Sequence, residues 1–337
     1  MKLPALYPFK FKPQLKEKVW GGTQLAIRLG KEGNGKMGES WEISGVKDNV
    51  SVVSNGILKG RSLTELLELY PEELLGKGVV ERFGNEFPLL FKFIDAREDL
   101  SVQLHPNNAV AKERHNSFGK TEMWYVLNAE KDARLILGFD REMDQATYLK
   151  YLSEGNITDI LHSEKVSEGD AFFIAPGTVH AIGAGVLLAE IQQTSDITYR
   201  IYDWDRPGTD GEMRELHTDL ALDVIDFGIS NARLQFSEID NETIAICKSV
   251  YFETNSLRLT QNFHKDISKI DSFVVYMCIK GEARIISDEN SVLSSMALAK
   301  GEQLKKGETL LIPACTNHVN IETEGATLLE VYVPGNS

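Results

Sequence analysis

One stretch of this chain is written twice. Glu168-Gly169-Asp170-Ala171-Phe172-Phe173-Ile174-Ala175-Pro176 leads on to His180, and Lys306-Gly307-Glu308-Thr309-Leu310-Leu311-Ile312-Pro313 leads on to His318, with the same glycine-to-histidine interval in both. Each histidine is followed by a second apolar run, Leu187-Leu188-Ala189-Glu190 in one copy and Leu328-Leu329-Glu330 in the other. A glycine turn, an apolar strand ending in proline, a short loop and a returning strand build half of a double-sheet antiparallel jelly roll. Two copies call for two such units in tandem.

The expected fold is mainly β, with two tandem cupin-type jelly-roll domains carrying short helical insertions. At 337 residues each domain is large enough to bury its own core. The spacing puts one domain at residues 1–234 and the other at 235–337, with the boundary in Ser230 to Asn241 after a helix around Asp219 to Asp226. Short apolar runs broken by glycine, such as Val19-Trp20-Gly21-Gly22 and Gly38-Glu39-Ser40-Trp41, predict strands and turns over the first 55 residues or so. Ser62 and Glu65 form a capping-box pair before an amphipathic run, and Ala146, Tyr148, Leu149 and Leu152 fall on one helical face. These signals predict helical insertions at about 62–83 and 144–161.

Four polar residues in the first domain have the spacing of a metal site. Gln103 and His105 are two apart in Ser101-Val102-Gln103-Leu104-His105-Pro106, so on a strand they share a face while Val102 and Leu104 point the other way. Glu122 follows in a strand-like apolar run, and His180 follows a Pro-Gly turn, where a rigid scaffold commonly presents a functional side chain. Two imidazoles, one carboxylate and one amide oxygen suit zinc or a similar divalent ion, one per chain. Upstream of His318 the strands Phe273 to Ile279 and Ala283 to Ile286 offer no comparable ligands. The second domain is therefore expected to lack a metal site, with His318 structural. His115, His162, His217 and His264 lack partners at useful spacing and read as surface or capping residues.

The net charge of -14 argues against nucleic acid or an anionic membrane as partner. It also means that an anionic ligand must be drawn in by local positive groups. No apolar run is long enough to span a bilayer, and the start Met1-Lys2-Leu3-Pro4 carries no signal-peptide pattern. Three widely spaced cysteines, Cys247, Cys278 and Cys315, read as small core residues in a reducing compartment. The expected location is cytoplasmic, and no obligate protein partner is evident.

Downstream of His180, the run from Glu190 to Arg206 mixes aromatic residues, carboxylates and two arginines. Such a run is ordinarily a solvated edge strand and loop. Here Glu190 shares its strand with Leu187, Leu188 and Ile191, and Arg200 lies between Tyr199 and Ile201. Partly buried ionisable groups beside a metal site are candidates for proton transfer and anion binding.

Taken together, Lys16-Glu17-Lys18-Val19-Trp20-Gly21-Gly22, Gly38-Glu39-Ser40-Trp41, Gln103-Leu104-His105-Pro106, Gly119-Lys120-Thr121-Glu122-Met123-Trp124-Tyr125, Ala175-Pro176-Gly177-Thr178-Val179-His180 and Thr198-Tyr199-Arg200-Ile201-Tyr202-Asp203 resemble the type I mannose-6-phosphate isomerases, most closely their short bacterial form. The motifs run in order to about residue 206, and the tandem repeat extends the likeness over nearly the whole chain. The resemblance implies a zinc enzyme that interconverts mannose 6-phosphate and fructose 6-phosphate through an enediol or enediolate, with residues 1–234 as the catalytic domain. It places the metal ligands at Gln103, His105, Glu122 and His180 and the active-site arginine at Arg200. Lys120, Glu190 and Asp196 match further pocket positions.

Moving a proton between C2 and C1 requires a base near both carbons, stabilisation of a developing oxyanion, and a clamp for the phosphate. Arg200 is expected to stabilise charge, and Lys120 or Arg206 to hold the phosphate, with Asp196 as a further substrate contact. Glu190 leads as the base, while Asp196 and a water held by the ion remain open. Two other readings are an isomerase of a related sugar and a metal-retaining cupin that binds sugar without turnover.

Overall fold

The computed structural model describes residues 3–33, 35–287 and 301–335. The Met1-Lys2 start read for a leader lies outside these residues. The chain divides into two compact units, one of Leu15–Trp41 with Leu90–Leu234, the other of Met1–Gln14, Glu42–Leu89 and Gln235–Ser337. The architecture is mainly β, built from antiparallel sheets with few, short helices.

In the Leu90–Leu234 unit a seven-stranded sheet takes the order Gln14–Gly22, Met37–Ile43, Leu89–Ala96, Val186–Gln193, Glu122–Ala129, Ala171–Ile174, Arg233–Leu234. A five-stranded sheet takes the order Tyr199–Tyr202, Val102–Leu104, His180–Ile182, Arg134–Phe139, Leu161–Lys165. One buried cluster joins Trp20, Ile94, Trp124, Val126, Phe172 and Leu188 of the first sheet to Leu135, Leu137 and Ile182 of the second, so the two sheets pack face to face.

Side-chain alternation decides what faces that interior. Val102, Leu104, Val179, Ala181, Tyr199 and Ile201 belong to a separate buried cluster on the outer face of the five-stranded sheet, together with Tyr148 from the helix Gln145–Ser153 and Ala221 from the helix Thr218–Leu222. With a period of two, Gln103, His180 and Arg200 must then point inward. On the facing sheet Ile94, Val126 and Leu188 are interior, so Lys92, Glu122, Trp124 and Glu190 share their face. The interior is therefore apolar at one end and polar at the other.

Close backbone approach explains the glycines of the N-terminal motifs. A Cβ on Gly21 would lie 2.4 Å from the Lys36 carbonyl oxygen, and one on Gly38 would lie 2.6 Å from the Trp20 ring. Only glycine lets these segments meet so that Lys18, Trp20, Glu39 and Trp41 form one wall.

In the other unit the strands Val274–Ser287 and His318–Tyr332 pair along their length, with register shifts at Cys278/Lys280 and Glu282/Arg284. These bulges bend the long strands, and Val274–Ser287 also pairs with Thr309–Ile312 at one end and Glu302–Lys305 at the other. The core between them contains Leu257, Val274, Tyr276, Ile285, Leu304, Leu310, Ile321 and Leu328. Glu330 is buried there and fully occupied: Tyr276, Asn255 and Lys265 all donate to its carboxylate, over 2.9, 3.1 and 2.8 Å. His318 is partly exposed on this unit, and no metal-ligand cluster forms around it among the described residues.

The helices lie near the expected places, with changes. Ser62 and Glu65 make the reciprocal capping box of the helix Leu63–Leu69, followed by Pro71–Leu75 and Lys77–Phe83. The second stretch is the helix Gln145–Ser153 and a 3-10 turn at Ile157–Ile160. The helix expected at Asp219 to Asp226 runs over Thr218–Leu222 instead. The first 55 residues also hold a helix, Gln24–Leu29, which is too short to show a helical period.

Candidate active site

Cross-strand pairing assembles the inward-facing polar residues. In the five-stranded sheet Arg200 pairs with Gln103, and Gln103 pairs with His180, so the three stand side by side on adjacent strands. Across the interior, Glu190 pairs with Trp124 and Gln192 with Glu122. His105 stands immediately after the strand Val102–Leu104, where its carbonyl accepts from the Gly177 N–H over 2.9 Å and ties it to the His180 loop.

The His105, Glu122 and His180 donor atoms lie within 4.8 Å of one another, and all three residues are buried. His105 Nδ1 donates to the Ile197 carbonyl over 2.9 Å and His180 Nδ1 to the Thr178 carbonyl over 2.8 Å. A carbonyl only accepts, so each Nδ1 carries the proton and each Nε2 keeps its lone pair toward Glu122. His105 Nε2 is 3.4 Å and His180 Nε2 3.7 Å from the carboxylate. His180 Nε2 and Glu122 Oε2 are buried without a hydrogen-bond partner among the described residues. Orphaned acceptors converging on one point fit a divalent cation, because leaving them unmatched is costly.

A cation already lies against this cluster. Lys120 Nζ is 2.6 Å from Glu122 Oε1 and 3.1 Å from His105 Nε2. Burial, followed by the Lys120 charge, pushes the His105 imidazole down to about 3. Burial likewise lowers His180 despite the pull of Glu122. For Glu122 burial works upward, yet Lys120 and then His105 hold the carboxyl well below its usual range. The set is thus poised as neutral imidazoles and a carboxylate, the forms that bind a metal ion.

Through His180 and Lys120 the cluster borders a cavity of about 380 Å³ lined also by Gln103, Glu190, Asp196 and Arg200 among others. Its size suits a small polar ligand. Glu190 is buried, and its carboxylate accepts from Lys92 Nζ and from Trp124 Nε1, each over 2.9 Å. Burial and then the negative charge of Glu122 push its carboxyl above the ordinary value, against the pull of Lys92. Asp196 is exposed at the rim, and Arg200 is half-buried with its Nη1 donating to the Glu215 carbonyl over 2.9 Å. Gln103 Oε1 accepts from Ser101 Oγ over 3.2 Å.

Arg206, expected to hold the phosphate, is turned away from this site. It does not line the cavity, and its guanidinium meets the Asp99 carbonyl, Glu98 and Asp203. Of the histidines read as surface or capping residues, His217 stands at the N-terminus of the helix Thr218–Leu222 and its Nδ1 accepts from the Arg200 N–H over 3.3 Å, while His115 Nε2 lies 2.7 Å from the Tyr199 hydroxyl. Sequence reasoning missed Lys92, Lys18, Glu39 and Arg214, all of which line the cavity. Lys92 carried a signal, being the single basic residue in the apolar strand Leu89–Ala96.

The chain is similar to known proteins over most of its length. Residues 8–132 match the family described as phosphomannose isomerase type I, catalytic domain. The chain is 36% identical over 310 residues to the mannose-6-phosphate isomerase ManA of Bacillus subtilis (strain 168), covering 91% of this chain and 93% of that protein. It is 34% identical over 304 residues to the mannose-6-phosphate isomerase of Streptococcus mutans, covering 88% and 91% respectively. The crystal structure of the mannose 6-phosphate isomerase from Bacillus subtilis superposes with a TM-score of 0.85 at 30% identity, over 97% of this chain and 99% of that one.

Proposed function

The chain belongs to the type I phosphomannose isomerases, and from that premise we propose that it is a mannose-6-phosphate isomerase, interconverting mannose 6-phosphate and fructose 6-phosphate in the cavity between its facing sheets. The observation that carries the reading is the meeting of the His105, Glu122 and His180 cluster with Glu190 and Arg200 around one small polar cavity.

His105, Glu122 and His180, with Gln103 as the fourth ligand, would hold one zinc ion. When bound, zinc polarises and positions the sugar oxygens. Glu190 is the proton carrier in this reading. Its carboxylate is fixed by Lys92 and Trp124, and burial raises its affinity for a proton toward what abstraction from carbon needs. The proton taken from C2 stays on Glu190 and is returned to C1.

Arg200 stabilises the negative charge that develops on oxygen between these steps, in a site whose burial strengthens the attraction. Lys120, which stands against Glu122 and His105, contacts the substrate oxygens beside that cluster, and Asp196 at the rim accepts from a sugar hydroxyl. Against a global charge of -14, these cations supply the local attraction that an anionic sugar requires.

The test is a coupled assay of purified, zinc-loaded protein with mannose 6-phosphate and, separately, free mannose. Turnover of the phosphorylated sugar well above that of mannose is expected. Absence of turnover with mannose 6-phosphate, in protein shown to hold metal, would overturn the assignment.

A further inference from the structure

A chain excursion beyond Arg200 supplies part of the cavity wall. After the strand Tyr199–Tyr202 the backbone takes two left-handed residues, Trp204 with φ 60° and Asp205 with φ 50°. It turns out through Arg206 and returns, with Pro207 bridging Met213 and the Gly208 N–H donating to the Glu212 carbonyl over 2.6 Å. The return brings Arg214 beside Asp203. From there the chain runs along Arg200, whose carbonyl accepts from the His217 N–H over 2.7 Å and whose Nη1 donates to the Glu215 carbonyl. Across the sheet the order is therefore His180, Gln103, Arg200 and then this returning segment. At about 5 Å per strand, Arg200 is roughly 10 Å from His180 along the sheet, and the returning segment lies farther still.

The turn sorts the two arginines that flank it. Arg206 is spent on the Asp99 carbonyl and Glu98, outside the cavity. Arg214 lines the cavity, and Asp203, only 4% exposed, grips it from behind: Nε donates to Oδ2 over 2.6 Å and Nη2 to Oδ1 over 2.5 Å. Arg214 Nη1 has no hydrogen-bond partner among the described residues. A guanidinium held on one edge by a buried carboxylate, on a residue that lines a cavity and keeps a donor spare, is preorganised for an oxyanion. Arg200 and Arg214 stand close enough that burial and then Arg214 lower the hold of Arg200 on its proton. Two neighbouring guanidinium groups repel until an anion lies with them.

We propose that Arg214, positioned by Asp203, is the arginine that receives the phosphate of the hexose 6-phosphate, and that Arg206 does not. This rests on the isomerase reading above. The metal cluster takes the C1–C2 end of the sugar, Arg200 lies between, and the phosphate lies at Arg214, which matches the length of an extended six-carbon chain.

The test is steady-state kinetics of the zinc-loaded Arg214→Gln and Arg206→Gln proteins with mannose 6-phosphate, together with competitive inhibition by inorganic phosphate. Failure of the wild type to isomerise mannose 6-phosphate would remove the functional reading itself. Given an active wild type, Arg214→Gln is expected to raise KM and the phosphate inhibition constant together, roughly tenfold to a hundredfold, with kcat changed much less. Because Arg214→Gln takes from the buried Asp203 its two-pronged partner, Arg214→Lys serves if the glutamine variant fails to fold. It keeps the charge but loses the fork, so a smaller rise in both constants is expected. Asp203→Asn should move KM and phosphate inhibition in the same direction while zinc content stays at one. Unchanged KM and phosphate inhibition in the Arg214 variants, a loss confined to kcat, or the reversed pattern in which Arg206→Gln alone weakens both, would overturn the proposal.

Discussion

Trp124 and Glu190 stand opposite one another on neighbouring antiparallel strands, and the indole Nε1 donates to Glu190 Oε2 over 2.9 Å. The bond matters because Glu190 is the buried carboxylate of the cavity, and a donor aimed at the ionised form opposes what burial does to it. Removing that donor moves the carboxyl further up. With Trp124→Phe, the acid limb of the kcat/KM pH profile is expected to shift to higher pH, and activity at neutral pH to fall roughly threefold to tenfold, while metal content holds. An unmoved limb would mean that Trp124 serves packing only.

The metal cluster makes a compositional prediction. His105→Ala and His180→Ala each remove one converging Nε2, so elemental analysis should fall from about one divalent ion per chain to a small fraction. Since the His318 surroundings form no such cluster among the described residues, His318→Ala should keep full stoichiometry. Metal retained in both His105 and His180 variants would break the assignment.

Acid should destabilise the metal-free protein. His105 titrates at about 3 in the fold against an ordinary 6.5, because burial and Lys120 disfavour its charged form. Between those values the unfolded chain binds a proton that the folded chain does not, so stability present above 6.5 is lost as pH falls toward 3. Glu122 and Glu39 are held below their ordinary values and act with the same sign, whereas Glu190 acts with the opposite one. The thermal midpoint of metal-free protein is expected to drop between pH 6.5 and 4, and a level or rising midpoint would contradict this balance.

Thiol chemistry separates the cysteines. Burial first, and a nearby carboxylate in each case, push Cys247 and Cys278 up to about 12, whereas Cys315 is exposed. Ellman titration of native protein at pH 8 should release about one thiol rapidly, and all three after denaturation. Rapid reaction of all three in the native state would show that the buried strands open readily. Cys315 also qualifies the sequence expectation, which took all three cysteines as core.

The repeat ending in His180 and His318 was a dependable guide to the β architecture, because strand alternation and glycine turns are local signals. The candidate metal cluster was legible for the same reason: His105, Glu122 and His180 each follow or flank residues that declare the opposite face apolar. Lys92 was hidden because its two oxygen partners, Glu190 and Gln192, lie 98 and 100 residues away in sequence. Arg206 was named from sequence and Arg214 passed over, because the left-handed pair Trp204 and Asp205, which carries the chain away after Asp203, leaves no periodic signal. The helix Asn108–His115 was also missed, although Asn107 caps it by accepting from the Val110 N–H over 3.0 Å, because its apolar face is little more than Ala111.

The most direct measurement is an NMR time course of mannose 6-phosphate in deuterated buffer, run with the zinc-loaded wild type and Glu190→Gln side by side. If isomerisation occurs in this cavity with Glu190 as proton carrier, the wild type converts the sugar to fructose 6-phosphate. Glu190→Gln, with fold and metal intact, then shows neither conversion nor exchange of the C2 proton. A wild type that leaves mannose 6-phosphate unchanged would contradict the function, and a Glu190→Gln protein that turns it over at the wild-type rate would contradict the mechanism.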